Sequence, residues 1–310
     1  MINIQENILL SQFTSFRIGG PARFYVEVSS VDELKEALLY AKEKNIKFFI
    51  LGGGTNLLMS DNGFQGIVIR MKINTICTNG NIMEVGCGVP LIKAINVSAT
   101  EELSGMESLA GIPGTVGGAI RGNAGAFGSE ICACVEKVSA LDSETMEVVS
   151  FDAKECDFSY RTSVFKQKEK FIVLSATFAL TAGNDKEIQQ KVSDTINKRV
   201  STGLHGVRSA GSFFMNPFVE SKDILDNFEK DNGSPSRNGK VPAGWIIDQA
   251  ELRGKKIGGA AVSQAHANYI VNDSGDASAE DVIILESYIK QQVRDKFGVQ
   301  LESEVNHVGF

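Results

Sequence analysis

Between Ala110 and Gly128 the chain reads AGIPGTVGGAIRGNAGAFG, seven glycines in nineteen residues. No ordinary helix or strand tolerates that density, because glycine costs roughly 1 kcal/mol per helical position relative to alanine. The block must be a shaped loop. Flexible linkers are Ser-rich and polar, whereas this block interleaves Ile112, Val116, Ile120 and Phe127, which are expected to anchor it to a core. A second glycine run, Gly52-Gly53-Gly54 followed by Thr55 and Asn56, comes directly after Phe48-Phe49-Ile50-Leu51, which reads as a buried strand. Glycines in that position can gather several N–H groups into a concavity that suits an anion. They can equally form a tight turn between two strands, and the residues alone leave both open. Neither common phosphate motif is present: no Lys-Ser/Thr follows the glycines, and the spacing is not G-x-G-x-x-G.

At 310 residues the chain has room for about two domains. Its 43% hydrophobic and 22% charged residues are ordinary globular material. A formal charge of −7 without a basic stripe argues against nucleic acid as a partner, yet leaves room for a local basic pocket for a phosphorylated small molecule. The five cysteines, Cys77, Cys87, Cys132, Cys134 and Cys156, fit no zinc or disulfide spacing and are expected to be buried free thiols. No metal is expected. The N-terminus lacks a basic region and a long apolar run, and no stretch approaches the ~18–20 apolar residues of a membrane helix. A soluble, cytoplasmic protein without membrane contact is the expectation.

Taken in order, residues 1–20 end in a turn-rich segment, and Ala22–Val28 alternates as a strand. Ser30 with Glu33 marks a helix start, with Leu34, Leu38 and Ala41 as its apolar face. Strands are expected at Lys47–Leu51 and Gly66–Met71, so the first ~70 residues form a β-α-β-β unit. Beyond them, Asn79-Gly80-Asn81 is a hairpin-like turn, and Leu91–Glu102 reads as a helix. Val135–Leu141, Glu147–Phe151 and Ile172–Leu180 read as strands. Helices follow at Asp185–Ser201, Lys222–Asn227, Ala243–Gln249 and Ala279–Phe297, with strands at Ala261–Asn272 and Leu301–Val308. Asp231–Lys240 is polar and Gly/Pro/Ser-rich, an exposed insertion.

Seven segments in this order resemble the UDP-N-acetylenolpyruvoylglucosamine reductases (MurB) of bacterial peptidoglycan synthesis. They are TSFRIGGPA (14–22), ILGGGTNLL (50–58), the block 110–128, SYRTSVFK (159–166), AGSFFMNP (210–217), AGWIIDQAELRGKKIGGAAVSQAHANYIVN (243–272) and LESEV (301–305). The first three are shared with the broader vanillyl-alcohol-oxidase flavoprotein superfamily; the last four are specific to the reductases. The resemblance implies an α+β protein with a vanillyl-alcohol-oxidase/PCMH-type FAD-binding fold, two α/β subdomains plus a C-terminal α/β substrate domain. The expected limits are 1–71 joined by the tail 298–310, 72–184, and 185–297. The short Arg161–Ser212 interval resembles the family branch without a substrate-covering tyrosine loop.

The implied reaction is NADPH-dependent, FAD-mediated reduction of UDP-N-acetylglucosamine enolpyruvate to UDP-N-acetylmuramate. Hydride passes from flavin N5 to the enolpyruvyl methylene, and charge gathers on the adjacent carbon. By resemblance, Arg161 and Glu304 stabilise the enolate and Ser212 donates the proton. Glu302, two residues from Glu304 on the same strand face, competes for that role, and the motif selects Glu304. Gly52, Gly53, Gly54, Thr55 and Asn56 are implied as the FAD pyrophosphate site. Ile112, Pro113, Gly114, Val116, Gly117 and Gly118, with Asn123, Ala124 and Gly125, line the rest of the cofactor. No His or Cys lies in these blocks, which implies non-covalent FAD. Tyr160, Arg199, Asn216 and His266 are implied substrate contacts, with Lys198 and Arg208 as alternatives to Arg199. The UDP-sugar is the implied partner, and a monomer is expected. Phe127 stands where the family usually has tyrosine. A flavin oxidase or dehydrogenase of the same superfamily, acting on an alcohol or sugar, is the competing reading.

Overall fold

The computed structural model describes residues 2–310 except Phe127, Thr202, His205 and Arg237. The anchoring expected of Phe127 therefore lies outside the described residues. The backbone divides into two compact units, each built from discontinuous stretches. One comprises Met1–Ile8, Ala22–Gly54 and Gln65–Ser201; the other comprises Leu9–Pro21, Thr55–Phe64 and Thr202–Phe310.

In the first unit, a four-stranded sheet runs in the order Gln5–Leu9, Pro21–Val28, Phe64–Met71, Phe48–Leu51. Gln5–Leu9 is a strand that the turn-rich reading of 1–20 did not include. Phe48–Leu51 lies parallel to Phe64–Met71, with Ile50 opposite Ile69. The helix Val31–Glu43 buries Leu34, Ala37, Leu38 and Ala41, the face its periodicity requires. Ser30 caps it by accepting the Glu33 N–H at 3.2 Å, while the Glu33 carboxylate takes the Ser29 N–H at 2.6 Å. A five-stranded antiparallel sheet follows, ordered Val148–Asp152, Val135–Asp142, Phe171–Ala179, Ile82–Gly86, Ile76–Asn79. The expected turn at Gly80 closes the Asn79–Ile82 hairpin. Fully buried Met83, Val85, Val138, Ala140 and Phe178 join Val26, Leu34 and Ile67 in one continuous core. A buried side chain such as Phe178 contributes roughly 2–3 kcal/mol.

The second unit has its own core, containing Phe16, Leu58, Phe213, Phe214, Ile246, Val282, Leu285 and Ile289. The expected single strand at 261–272 is instead a hairpin, Ala260–Val262 against Ile270–Asn272, edged by Lys256–Ile257. The polar run between its strands turns on itself: Ser263 Oγ accepts the Ala265 N–H at 3.2 Å, and the Ser263 N–H reaches Tyr269 O at 2.8 Å. The helix Ala279–Phe297 packs on this sheet. Ser278 and Asp281 form a capping box, and the Asp61 carboxylate accepts the Ala279 N–H at 2.8 Å. Lys222–Asn232 is one turn longer than its periodicity suggests and stops at Gly233, whose φ of 71° suits a glycine cap. The final strand shortens to Asn306–Val308, which pairs in parallel with Leu57–Met59.

Among the described residues no helix is long and apolar enough to cross a membrane. Cys87, Cys134 and Cys156 are buried, and burial pushes each thiol up to about 12. Cys77 departs from the expectation of burial. It is exposed, because it sits on the edge strand of its sheet.

Candidate active site

In the first unit the two glycine blocks press against each other. A Cβ on Gly52 would lie 2.8 Å from Thr115 Oγ1, and one on Gly53 would lie 2.7 Å from Gly114 Cα. Neither is a distance that real Cβ atoms adopt, so only glycine permits the approach. Gly54 has a φ of 64° and Gly114 a φ of 119°, both positions that favour glycine. The second block is hung on its neighbours by backbone bonds: Leu91 N–H to Gly114 O at 3.0 Å, Val116 N–H to Val89 O at 2.9 Å and Gly117 N–H to Cys87 O at 2.9 Å. Thr115 caps the short helix Val116–Arg121. Val116 and Ile120 are fully buried, so they anchor the loop as expected, and Val116 has only its backbone to offer a ligand. Ile112 packs half-buried against the same core. Gly53, Pro113 and Gly118 are exposed.

Asn123 is fully buried, and its amide engages the protein at both ends. Its Nδ2 donates to Glu130 Oε2 at 2.9 Å and to Ser159 O at 3.1 Å, and its Oδ1 accepts the Cys132 N–H at 3.3 Å. The bond to Ser159 ties the glycine block to the tight turn that carries Tyr160 and Arg161. Ser159 and Thr162 exchange both backbone bonds at 3.1 Å across that turn. Arg161 occupies its third position with a φ of 60°, where glycine is the ordinary choice. A non-glycine residue held there costs on the order of 1–3 kcal/mol. The guanidinium donates to Gly125 O at 3.2 Å and lies 5.1 Å from the Tyr160 ring centroid. Ser163 Oγ fixes the far side of the turn by donating to Arg121 O at 2.7 Å. Arg199 also reaches the glycine block, donating to Gly111 O at 3.0 Å from the last turn of Asp185–Val200.

In the second unit, the Glu304 backbone pairs with that of Phe213, the residue after Ser212. The Glu304 N–H donates to Phe213 O at 2.8 Å, and the Met215 N–H donates to Glu302 O at 2.9 Å. Glu302 is exposed, whereas Glu304 is half-buried. Asn56, at the end of the first glycine run, donates from Nδ2 to Glu304 O at 3.2 Å. Asn268 is the organiser that the sequence reading left without a clear role. It is buried, its amide brackets Phe214 at 2.9 and 2.8 Å, and its carbonyl accepts the Phe213 N–H at 2.7 Å. Asn216 Oδ1 accepts the Ala243 N–H at 3.0 Å, at the start of a helix. His266 Nδ1 accepts the Asn268 N–H at 3.2 Å. Burial, assisted by the Arg253 guanidinium, holds its imidazole below the ordinary histidine value. Arg208 packs against Gly275, and its carbonyl accepts the Asn272 N–H at 2.9 Å.

Known proteins match this arrangement over nearly its whole length. Residues 22–151 match the FAD binding domain family, and residues 201–308 match the UDP-N-acetylenolpyruvoylglucosamine reductase C-terminal domain family. The UDP-N-acetylenolpyruvoylglucosamine reductase of Carboxydothermus hydrogenoformans is 40% identical over 309 residues, covering 99% of this chain and 94% of that protein. That of Caldanaerobacter subterraneus is 39% identical over 301 residues, covering 97% and 92%. The crystal structure of UDP-N-acetylenolpyruvylglucosamine reductase (MurB) from Thermus caldophilus superposes with a TM-score of 0.78 at 29% identity, covering 100% of both chains. The fold is therefore the α+β, PCMH-type FAD-binding fold anticipated above. On these identities the chain belongs to the UDP-N-acetylenolpyruvoylglucosamine reductase (MurB) family.

Proposed function

We propose that this chain, in the cytoplasm, reduces UDP-N-acetylglucosamine enolpyruvate to UDP-N-acetylmuramate at the expense of NADPH, with Arg161, Ser212 and Glu304 as its catalytic residues. The observation that carries the residue assignment is Arg161, held in a glycine-type conformation with its guanidinium beside the second glycine block. Family membership argues against the oxidase reading. We further propose that the enzyme acts as a monomer.

The first unit fits FAD. Its glycine blocks meet where a Cβ has no room, and Gly53 and Gly118 offer bare, exposed backbone for close approach to a diphosphate. Gly52–Gly54, Thr55 and Asn56 would hold the pyrophosphate, and residues 112–118 and 123–125 the remainder. Bound FAD supplies a hydride relay, from NADPH to the terminal methylene of the enolpyruvyl ether. The chain's own groups complete the step. Hydride addition to the methylene breaks the C=C π bond and leaves an electron pair on the ether-bearing carbon, delocalised into the carboxylate. Arg161 stabilises that charge with a planar, permanently charged fork of donors. Ser212 gives its hydroxyl proton to the carbon, completing the lactyl ether. Glu304 would polarise the carboxylate region of the substrate. Tyr160, Asn216 and His266 would contact the substrate, and Arg199 would contribute from its station at Gly111.

The test is anaerobic. NADPH should bleach the yellow protein, and adding UDP-N-acetylglucosamine enolpyruvate should restore the colour. A flavin that stays reduced after that addition would rule out the proposed substrate.

A further inference from the structure

One buried charge in the second unit has no part in the chemistry above. Glu286 lies on the inner face of Ala279–Phe297 with its side chain only 5% exposed. Both of its oxygens are engaged. Oε1 accepts from Lys290 Nζ at 2.6 Å, one helical turn on, and from Ser303 Oγ. Oε2 faces His307 Nε2 at 3.0 Å. Ser303 immediately precedes Glu304, and His307 follows it by three residues. The Glu304 backbone between them donates to Phe213 O, next to Ser212. A buried carboxylate costs several kcal/mol in desolvation, and an apolar side chain would usually fill the same space at no such cost. This one reaches the chain on both sides of Glu304.

We infer that Glu286 is a positioning residue, a buried clamp that grips the chain on either side of Glu304 and so sets the Glu304 carboxylate for the reduction of the substrate. The inference rests on the catalytic reading of Glu304 given above. Burial alone would raise the Glu286 carboxyl, but hydrogen bonds from His307, Lys290 and Ser303 outweigh it and hold the group down to about 2. The clamp is therefore ionised throughout the working range. A catalytic group displaced by about 1 Å can lose on the order of 100-fold in rate.

Glu286→Gln keeps the shape and one acceptor oxygen while removing the charge. In FAD-loaded, full-length protein, flavin reduction by NADPH should stay within about twofold of the unmutated enzyme. Reoxidation by saturating UDP-N-acetylglucosamine enolpyruvate should slow by about tenfold or more, with substrate affinity changed less than about threefold. Ser303→Ala cuts the tie next to Glu304 and should reproduce the defect. Combined with Glu286→Gln it should add little, because both break one interaction. Should Glu286→Gln fail to fold, Ser303→Ala and His307→Gln decide the matter. Reoxidation at the unmutated rate in the folded variants, or equal slowing of both half-reactions, would overturn the clamp. If the unmutated enzyme itself fails to reoxidise, the proposed reaction falls instead.

Discussion

The first unit is shaped by omitting side chains where its two glycine blocks meet, and the second by tying side chains together around Ser212 and Glu304. Around Gly52, Gly53 and Gly114 the space between two loops is too narrow for a single Cβ. What is presented there is backbone, and the chemistry is that of shape and N–H groups. Around Ser212 and Glu304, side chains and backbone are laced by Asn268, Asn56 and the Phe213–Glu304 bond. The first region should therefore be broken by adding atoms and the second by removing them. Arg161 belongs to the first unit by position but to the second by logic, since its side chain is retained where glycine would be more comfortable.

The largest effect is expected at Ser212. Ser212→Ala should slow substrate reduction by about 10²–10⁴-fold, the usual contribution of a general acid. NADPH should still bleach the flavin at the original rate, because that half-reaction needs no proton on the substrate carbon. Stopped-flow absorbance separates the two, and equal losses in both would remove Ser212 from the proton-donor role. Arg161→Gly comes next. Losing the guanidinium should lower substrate reduction by about 10²–10³-fold, while the φ of 60° becomes free of strain, so the melting temperature should hold or rise. A variant that loses stability along with activity would make Arg161 a structural residue.

Gly53→Ala tests the opposite region. Its new Cβ would meet the Gly114 backbone, which cannot swing away. Overpacking of this kind costs about 1–3 kcal/mol, so FAD affinity should fall by about 10–100-fold in a titration of the stripped protein. Gly118→Ala sharpens the comparison. Its nearest atom would be Thr115 Oγ1 at 3.7 Å, an ordinary contact. Any loss of FAD affinity there reports on the cofactor's approach rather than on loop packing.

Much of the first region was legible in the sequence, because glycine density cannot be absorbed by helix or strand and the interleaved Val116 and Ile120 announce a core. The helix Val31–Glu43 and the Asn79–Ile82 hairpin were legible for the same local reasons, a cap and a turn. The second region was legible only as motif matches. Its bonds join residues 54 to 256 positions apart, as in Asn268 with Phe214 and Asn272 with Phe16, and no local periodicity encodes such pairs. The hairpin within 260–272 was hidden because its turn is built from Ser263, Ala265 and His266 rather than glycine or proline. Glu286 was invisible because, within an amphipathic helix, a glutamate on the inner face differs from a solvated one only by its partners.

That hidden glutamate supplies the smallest of these tests. The carboxyl is held at about 2 in the folded chain by His307, Lys290 and Ser303, against the opposing effect of burial, and returns to about 4.3 on unfolding. A depressed value means that the unfolded chain binds the proton more readily. The stability it contributes is therefore complete above the unfolded value and drains away as pH falls towards 2. Between pH 7 and pH 3 the unmutated protein should lose about 2 kcal/mol more unfolding free energy than Glu286→Gln, which has no proton to take up at that position. Denaturant titrations at the two pH values measure this directly. Parallel acid limbs would mean that the clamp is not a fixed charge, and that the second region resembles the first in depending on shape alone.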